Sequence, residues 1–122
     1  MSSLDRPLSG DVLVFDLAAE QQRAIDSAHA DSHGPASRTL LKEGPLRNTV
    51  VVLAAGGDIP EHTTEGPITV QPLAGSITFS VAGQAYELNP GALLSVGPGV
   101  KYSVRSQKGG SFLLTVLHLN KL

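Results

Sequence analysis

The chain carries four histidines, two tyrosines and no cysteine, so its acid–base or metal chemistry must rest on imidazole, phenol and carboxylate groups. Thiolate nucleophiles, disulfides and cysteine-held zinc are excluded. His29 and His33 lie four apart with Asp31 between them, a spacing that can chelate a metal. The surrounding segment ends in Gly34-Pro35, however, and reads as a polar linker. His62 stands alone between the Gly56-Gly57 pair and the loop Thr63-Thr64-Glu65-Gly66-Pro67. His118 shares its parity with Phe112, Leu114 and Val116, which suggests a core or interface position. Tyr102 alternates with Val100 and Val104, so its ring is expected to point inward.

These groups must be positioned by a small scaffold. With 122 residues the chain holds one real core and no more. Hydrophobic residues at 41% and charged residues at 16% describe a globular chain. A net charge of −2 offers no basic field for nucleic acid or an anionic membrane. The short basic cluster Arg105 to Lys108 reads as a solvated turn. No segment reaches the length of a membrane span and the first residues lack an apolar signal core, so a cytoplasmic protein is expected.

Residues 1–10 show no pattern, and Val12 to Phe15 is an apolar run that can form a strand. Asp16 sits at an N-cap position before an Ala-, Gln- and Glu-rich stretch from Leu17 to about Ala28, the one helix expected. From Ser37 the period becomes two. Strands are expected over Ser37–Lys42, Arg47–Ala55, Ile68–Leu73, Ser76–Val81, Gln84–Leu88, Ala92–Val96, Val100–Ser106 and Phe112–Leu119, separated by Gly- and Pro-rich turns. Pro72 marks an edge or a bulge, and Gln71, of opposite parity to Ile68 and Val70, is expected to face away from them. Arg47–Ala55 and Phe112–Leu119 are apolar on both faces and need cover from the fold or from a second subunit. One helix followed by many short strands predicts an all-β sandwich or barrel.

Two stretches resemble the paired signatures of the cupin family. The first signature runs roughly G-x5-H-x-H-x3-4-E-x6-G. Gly56 and His62 match it, Thr64 takes the second histidine, Ile68 takes the glutamate, and Gly75 closes it. The second runs roughly G-x5-P-x-G-x2-H-x3-N. Gly91 and Gly99 match it, Gly97 replaces the proline, and Tyr102 stands where a histidine is usual. Between Gly75 and Gly91 lie 15 residues, a usual separation for the family. The resemblance covers about residues 36–119. It implies a double-stranded β-helix, or jelly-roll barrel, with one short N-terminal helix. Residues 1–35 would then be an N-terminal extension, and 36–122 a single barrel domain with its site in the mouth.

The resemblance also implies a metal site of three histidines and a glutamate, of which this chain supplies His62 alone. Thr64 is a poor ligand for a transition metal, Ile68 has no donor, and a phenol such as Tyr102 is neutral near pH 7. No tightly bound metal or other cofactor is expected; a divalent ion at His62 would require Tyr102 to ionise or Glu61, Glu65 or His118 to swing in. Across such a barrel His62 is the natural partner for the Tyr102 hydroxyl. The expected function is binding of a small, largely apolar organic molecule, with His62, Thr64, Ile68 and Tyr102 as contacts. The alternatives are a metal-free acid–base enzyme using His62 as base and Tyr102 as acid, similar to the family's sugar-nucleotide epimerases, and a metal-dependent dioxygenase or isomerase. A homodimer is expected, with its N-terminal segment exchanged between subunits.

Overall fold

The computed structural model describes residues 7–27 and 34–119. His29, Asp31 and His33 lie outside the described residues. Asp16 caps the single helix, α1 (Leu17–Ser27), as its position suggests. Its carboxylate accepts from the amides of Ala18 and Ala19 at 3.1 and 3.3 Å, which would otherwise lack partners in the first turn. The apolar run before the helix is not a strand. Leu8 O accepts from Lys42 N at 2.7 Å and Gly10 N donates to the Glu43 carboxylate at 2.9 Å, but residues 12–15 join neither sheet. Val12 and Val14 are consequently 79% and 90% exposed.

Nine strands follow: β1 (Ala36–Glu43), β2 (Leu46–Leu53), β3 (Asp58–His62), β4 (Ile68–Gly75), β5 (Ile77–Val81), β6 (Gln84–Leu88), β7 (Leu94–Val96), β8 (Tyr102–Arg105) and β9 (Gly110–Leu117). They form two antiparallel sheets, ordered β1-β2-β9-β4-β7 and β3-β8-β5-β6, which enclose the core as a jelly roll. The inner faces meet in a cluster built on Val51, Leu53, Ile68, Val70, Ile77, Phe79, Leu88, Val96, Tyr102, Val104 and Phe112.

Strand β2 is apolar on both faces because it has two layers to pack against. Val51 and Leu53 face the inner core, whereas Val50, fully buried, lies outside that cluster. Val50 pairs directly with Arg38, and cross-strand partners share a face. Arg38 reaches Glu20 of α1, so the helix covers that outer face, with Ala24 buried beneath it. Strand β9 is tied to the same layer by the Ser111 hydroxyl, which donates to Gln21 Oε1.

Strand β3 carries no alternating pattern. Ile59 is its single inward apolar side chain and Pro60 interrupts the pairing with β8, which shifts register between Ile59 and His62. Pro72 does mark a bulge, the register shift between Pro72 and Ala74, and Gln71 is exposed as its parity requires. His118 is neither in the core nor in a strand: β9 ends at Leu117, and His118 is exposed with its amide donating to Pro45 O at 2.6 Å. No helix among the described residues is long and apolar enough to cross a membrane.

Candidate functional site

The signature positions come from three elements. His62 ends β3, Tyr102 opens β8, and Ile68 opens β4, so all three sit at one end of the barrel. His62 and Tyr102 are direct partners across the β3–β8 pair. Side chains of such partners leave the sheet on the same face. Their rings therefore meet edge to face, with centroids 5.8 Å apart and planes at 79°. The expected hydrogen bond between them is not formed. Among the described residues nothing hydrogen-bonds the Tyr102 hydroxyl or the His62 ring.

Below this pair the barrel is packed with aromatic rings. Tyr102 stacks on Phe79 at 5.8 Å and 28°, and Phe79 meets Phe112 edge to face at 5.4 Å. Phe79 is fully buried and Tyr102 is 6% exposed, whereas His62 is open to solvent. The series passes from a wet imidazole to a dry phenyl core. Burial raises the Tyr102 phenol above its ordinary value, because the phenolate would have to shed water. Tyr102 thus remains a neutral donor at physiological pH.

Thr64 and Ile68 take other parts. The Thr64 hydroxyl donates to Gly66 O at 2.8 Å, and its carbonyl accepts from Gly99 N at 2.9 Å. Thr64 therefore fastens the loop after β3 to the loop before β8. A Cβ on Gly66 would stand 1.8 Å from Leu117 O, so only glycine lets this loop lie against the end of β9. Ile68 is 1% exposed and packs in the same inner cluster as Tyr102. The structure brings His62, Tyr102 and Ile68 to one mouth and engages the Thr64 hydroxyl in its own loop.

The cupin fold commonly implies a metal at these positions, and the residues present do not fit one. Imidazole, a hydroxyl committed to a carbonyl, an isoleucine and a phenol raised in pKa offer a single effective ligand. Glu61 and Glu65 are exposed, and among the described residues no three His, Asp or Glu side chains converge.

The signature glycines have a backbone role instead. Gly56, Gly75, Gly91 and Gly99 all adopt positive φ. At Gly75, with φ of 69°, an added Cβ would come within 2.3 Å of Gly109 O. What pattern reading missed is the aromatic floor. Phe79 and Phe112 lie on strands the sequence marks, but their contacts with each other and with Tyr102 depend on the way the two sheets face each other.

A scan against protein-family models and a search of curated protein sequences each found no match. Solved structures do match. A cupin superfamily protein from Desulfitobacterium hafniense aligns with a TM-score of 0.67 at 18% identity, over 74% of this chain and 83% of that one. An RmlC-like cupin from Shewanella frigidimarina gives 0.68 at 18% identity, over 75% and 82%. A conserved protein of unknown function from Streptococcus pyogenes gives 0.70 at 21% identity, over 93% and 94%, so the likeness extends to nearly the whole of both chains. The two sheets, their strand order and these likenesses together give the chain the cupin fold.

Proposed function

We propose that the protein is a small-molecule-binding cupin, taking a small, largely apolar organic molecule with one hydrogen-bonding group at the barrel mouth, without a tightly held metal. The observation that carries this reading is Tyr102, a residue only 6% exposed whose hydroxyl has no hydrogen-bond partner among the described residues. An unsatisfied buried hydroxyl costs about 1–3 kcal/mol, which a ligand's polar group would recover. Apolar neighbours in the same cluster, Ile68 and Phe79, suit an apolar body, and His62 provides a second polar contact at the rim. The test is a titration of isotopically labelled protein with benzoate, phenol and hexanoate, followed by NMR at the His62 and Tyr102 rings. Saturable shifts, weakened by Tyr102→Phe, support the reading. No shift with any of the three at about 20 mM, beyond the range of useful recognition, would end it.

One observation favours the acid–base reading: an imidazole lies beside a phenol that stays protonated. Against it, no carboxylate hydrogen-bonds and orients His62 among the described residues. Simple binding is the better-supported role.

The same proposal makes the protein a cytoplasmic homodimer. The exposed Val12 and Val14, on a segment that belongs to neither sheet, support an assembly in which residues 12–15 cover a second copy. Light scattering at micromolar concentration that returns the mass of one 12.7 kDa chain would overturn it.

A further inference from the structure

A second concavity lies at the other end of the strands that present His62 and Tyr102. It is a cleft of about 950 Å³ bordered by Asp58, Thr78, Glu87, Asn89, Arg105 and Lys108, among others. In β3, Asp58 is at the end opposite His62; in β8, Arg105 is at the end opposite Tyr102. The register puts Asp58 opposite Arg105, Arg105 opposite Thr78, and Thr78 opposite Glu87, a single polar row across all four strands. Their neighbours Phe79, Leu88 and Val104 belong to the inner cluster, so this row occupies the outer face of the sheet.

Two features separate this cleft from an ordinary solvated surface. First, its charges do not neutralise one another. Arg105 and Asp58 are direct cross-strand partners, yet they form no ion pair, and among the described residues Glu87 and Lys108 belong to none either. The Arg105 guanidinium and Lys108 ammonium are both exposed. Second, its floor is braced. Gly56 N donates to Ser106 O at 2.8 Å, Ser106 N donates to Gly57 O at 3.0 Å, and the Ser106 hydroxyl, buried, donates to Ser76 O at 2.7 Å. These bonds lock the β2–β3, β4–β5 and β8–β9 connections together, so the cleft is preorganised.

We propose that this cleft binds a small polyhydroxylated anion, a sugar carrying one carboxylate or phosphate. The planar guanidinium and the ammonium recognise the anionic group. The Asp58 and Glu87 carboxylates accept from hydroxyls, and the side-chain amides of Asn89 and Gln107 both donate and accept. Two cations balanced by two carboxylates give no strong net field, so a bare anion is not the matched ligand. Only a molecule offering acceptors to the cations and donors to the carboxylates satisfies the whole set.

The experiment uses the full chain, labelled with ¹⁵N and titrated separately with D-gluconate, glucose 6-phosphate, D-glucose and inorganic phosphate. Gluconate, glucose 6-phosphate or both should shift the amides of residues 56–58 and 105–108 saturably while leaving the His62 ring in place; whichever binds identifies the anion. Arg105→Gln should weaken that binding about tenfold, the loss of a charge-assisted contact, and Lys101→Gln should leave it unchanged. The proposal is overturned if phosphate alone matches glucose 6-phosphate, if Arg105→Gln and Lys101→Gln act alike, or if no sugar anion shifts these amides. Because His62 is read separately, failure here is distinguishable from failure at the barrel mouth.

Discussion

His62 and Tyr102 face each other across β3 and β8 with their rings edge to face at 5.8 Å, one open to solvent and the other 6% exposed. The buried member controls an alkaline limit on stability. Burial raises the Tyr102 phenol, so the unfolded chain ionises this tyrosine at lower pH than the folded one does. Its contribution to stability is full below the ordinary phenol value of about 10 and is lost as pH rises through the folded value. Chemical denaturation at pH 8 and at about pH 10.5 should show a fall in the wild type that is smaller in Tyr102→Phe. At neutral pH Tyr102→Phe should raise stability by up to about 1–3 kcal/mol, since the hydroxyl has no partner among the described residues and its removal relieves the cost of burying it. Tyr102→Ala should cost about 3–5 kcal/mol by opening a cavity against Phe79.

The helix-to-sheet layer rests on a charged centre. Glu20 is 5% exposed and joins Arg23 at 2.5 Å and Arg38 at 2.6 Å. The Arg38 side chain is 18% exposed and that of Arg23 is 55% exposed. Removing the carboxylate leaves Arg38 unpaired in a drier place than Arg23. Glu20→Ala is expected to cost about 2–4 kcal/mol, and Arg23→Ala less than about 1 kcal/mol. Urea denaturation of the two variants checks the order; equal losses would mean that the pairs are solvated alike.

How much of this was legible in the sequence depends on where each signal resides. Asp16 and the helix after it were readable because capping is local chemistry. Val100, Tyr102 and Val104 were readable as one inward face because period two survives on a half-buried strand. Strand β3 was not, since only Ile59 among its residues points clearly inward and its pairing is supplied by β8. Val12–Phe15 failed in the opposite sense, an apolar run that no strand pairs. His62 and Tyr102 were placed at one site by signature spacing, but the ring-to-ring contact and the aromatic floor needed the sheet register. The row from Asp58 to Glu87 spans four strands and so leaves no trace in any single segment.

The β5–β6 hairpin contains a correctable strain. Ala82 and Gly83 both have positive φ, 51° and 81°, as a two-residue type I′ turn requires. Alanine bears a steric cost there that asparagine and glycine largely avoid. Ala82→Asn should therefore raise stability by about 0.5–1 kcal/mol, measured by thermal or urea unfolding. A loss instead would mean that the turn changes type.

Gly75 and Gly83 make a controlled pair for the signature glycines. Both have positive φ, but an added Cβ at Gly83 meets nothing within 4 Å, whereas at Gly75 it lies 2.3 Å from Gly109 O. Gly83→Ala should cost about 1 kcal/mol from conformation alone. Gly75→Ala adds a backbone clash between the β4–β5 and β8–β9 connections and should exceed about 3 kcal/mol or abolish soluble protein. Similar losses at both sites would remove close approach as the reason for glycine at this end of the signature.

Metal content tests whether the mouth of this barrel departs from the metal chemistry that the cupin signatures imply. A single imidazole, with Thr64 Oγ1 committed to Gly66 O and Tyr102 held protonated, lacks the chelation that retains a divalent ion. Protein purified without chelator or affinity tag, then dialysed against iron, manganese, zinc and nickel in turn, should carry well below one equivalent of each by elemental mass spectrometry. His62→Ala should not change that content. Near-stoichiometric metal lost on His62→Ala would reinstate a metal-dependent dioxygenase or isomerase and require a further donor, with Glu61 in β3 and Glu65 in the loop after it the first to replace. Supplying two of the three missing donors, Thr64→His and Ile68→Glu, gives the converse measurement. If the positions converge as the signature spacing implies, the doubly substituted protein should bind zinc or nickel at least about tenfold more tightly than the parent. Failure of a correctly folded double variant to gain affinity would mean that the loop fixed by Thr64 and Gly66 holds position 64 away from His62.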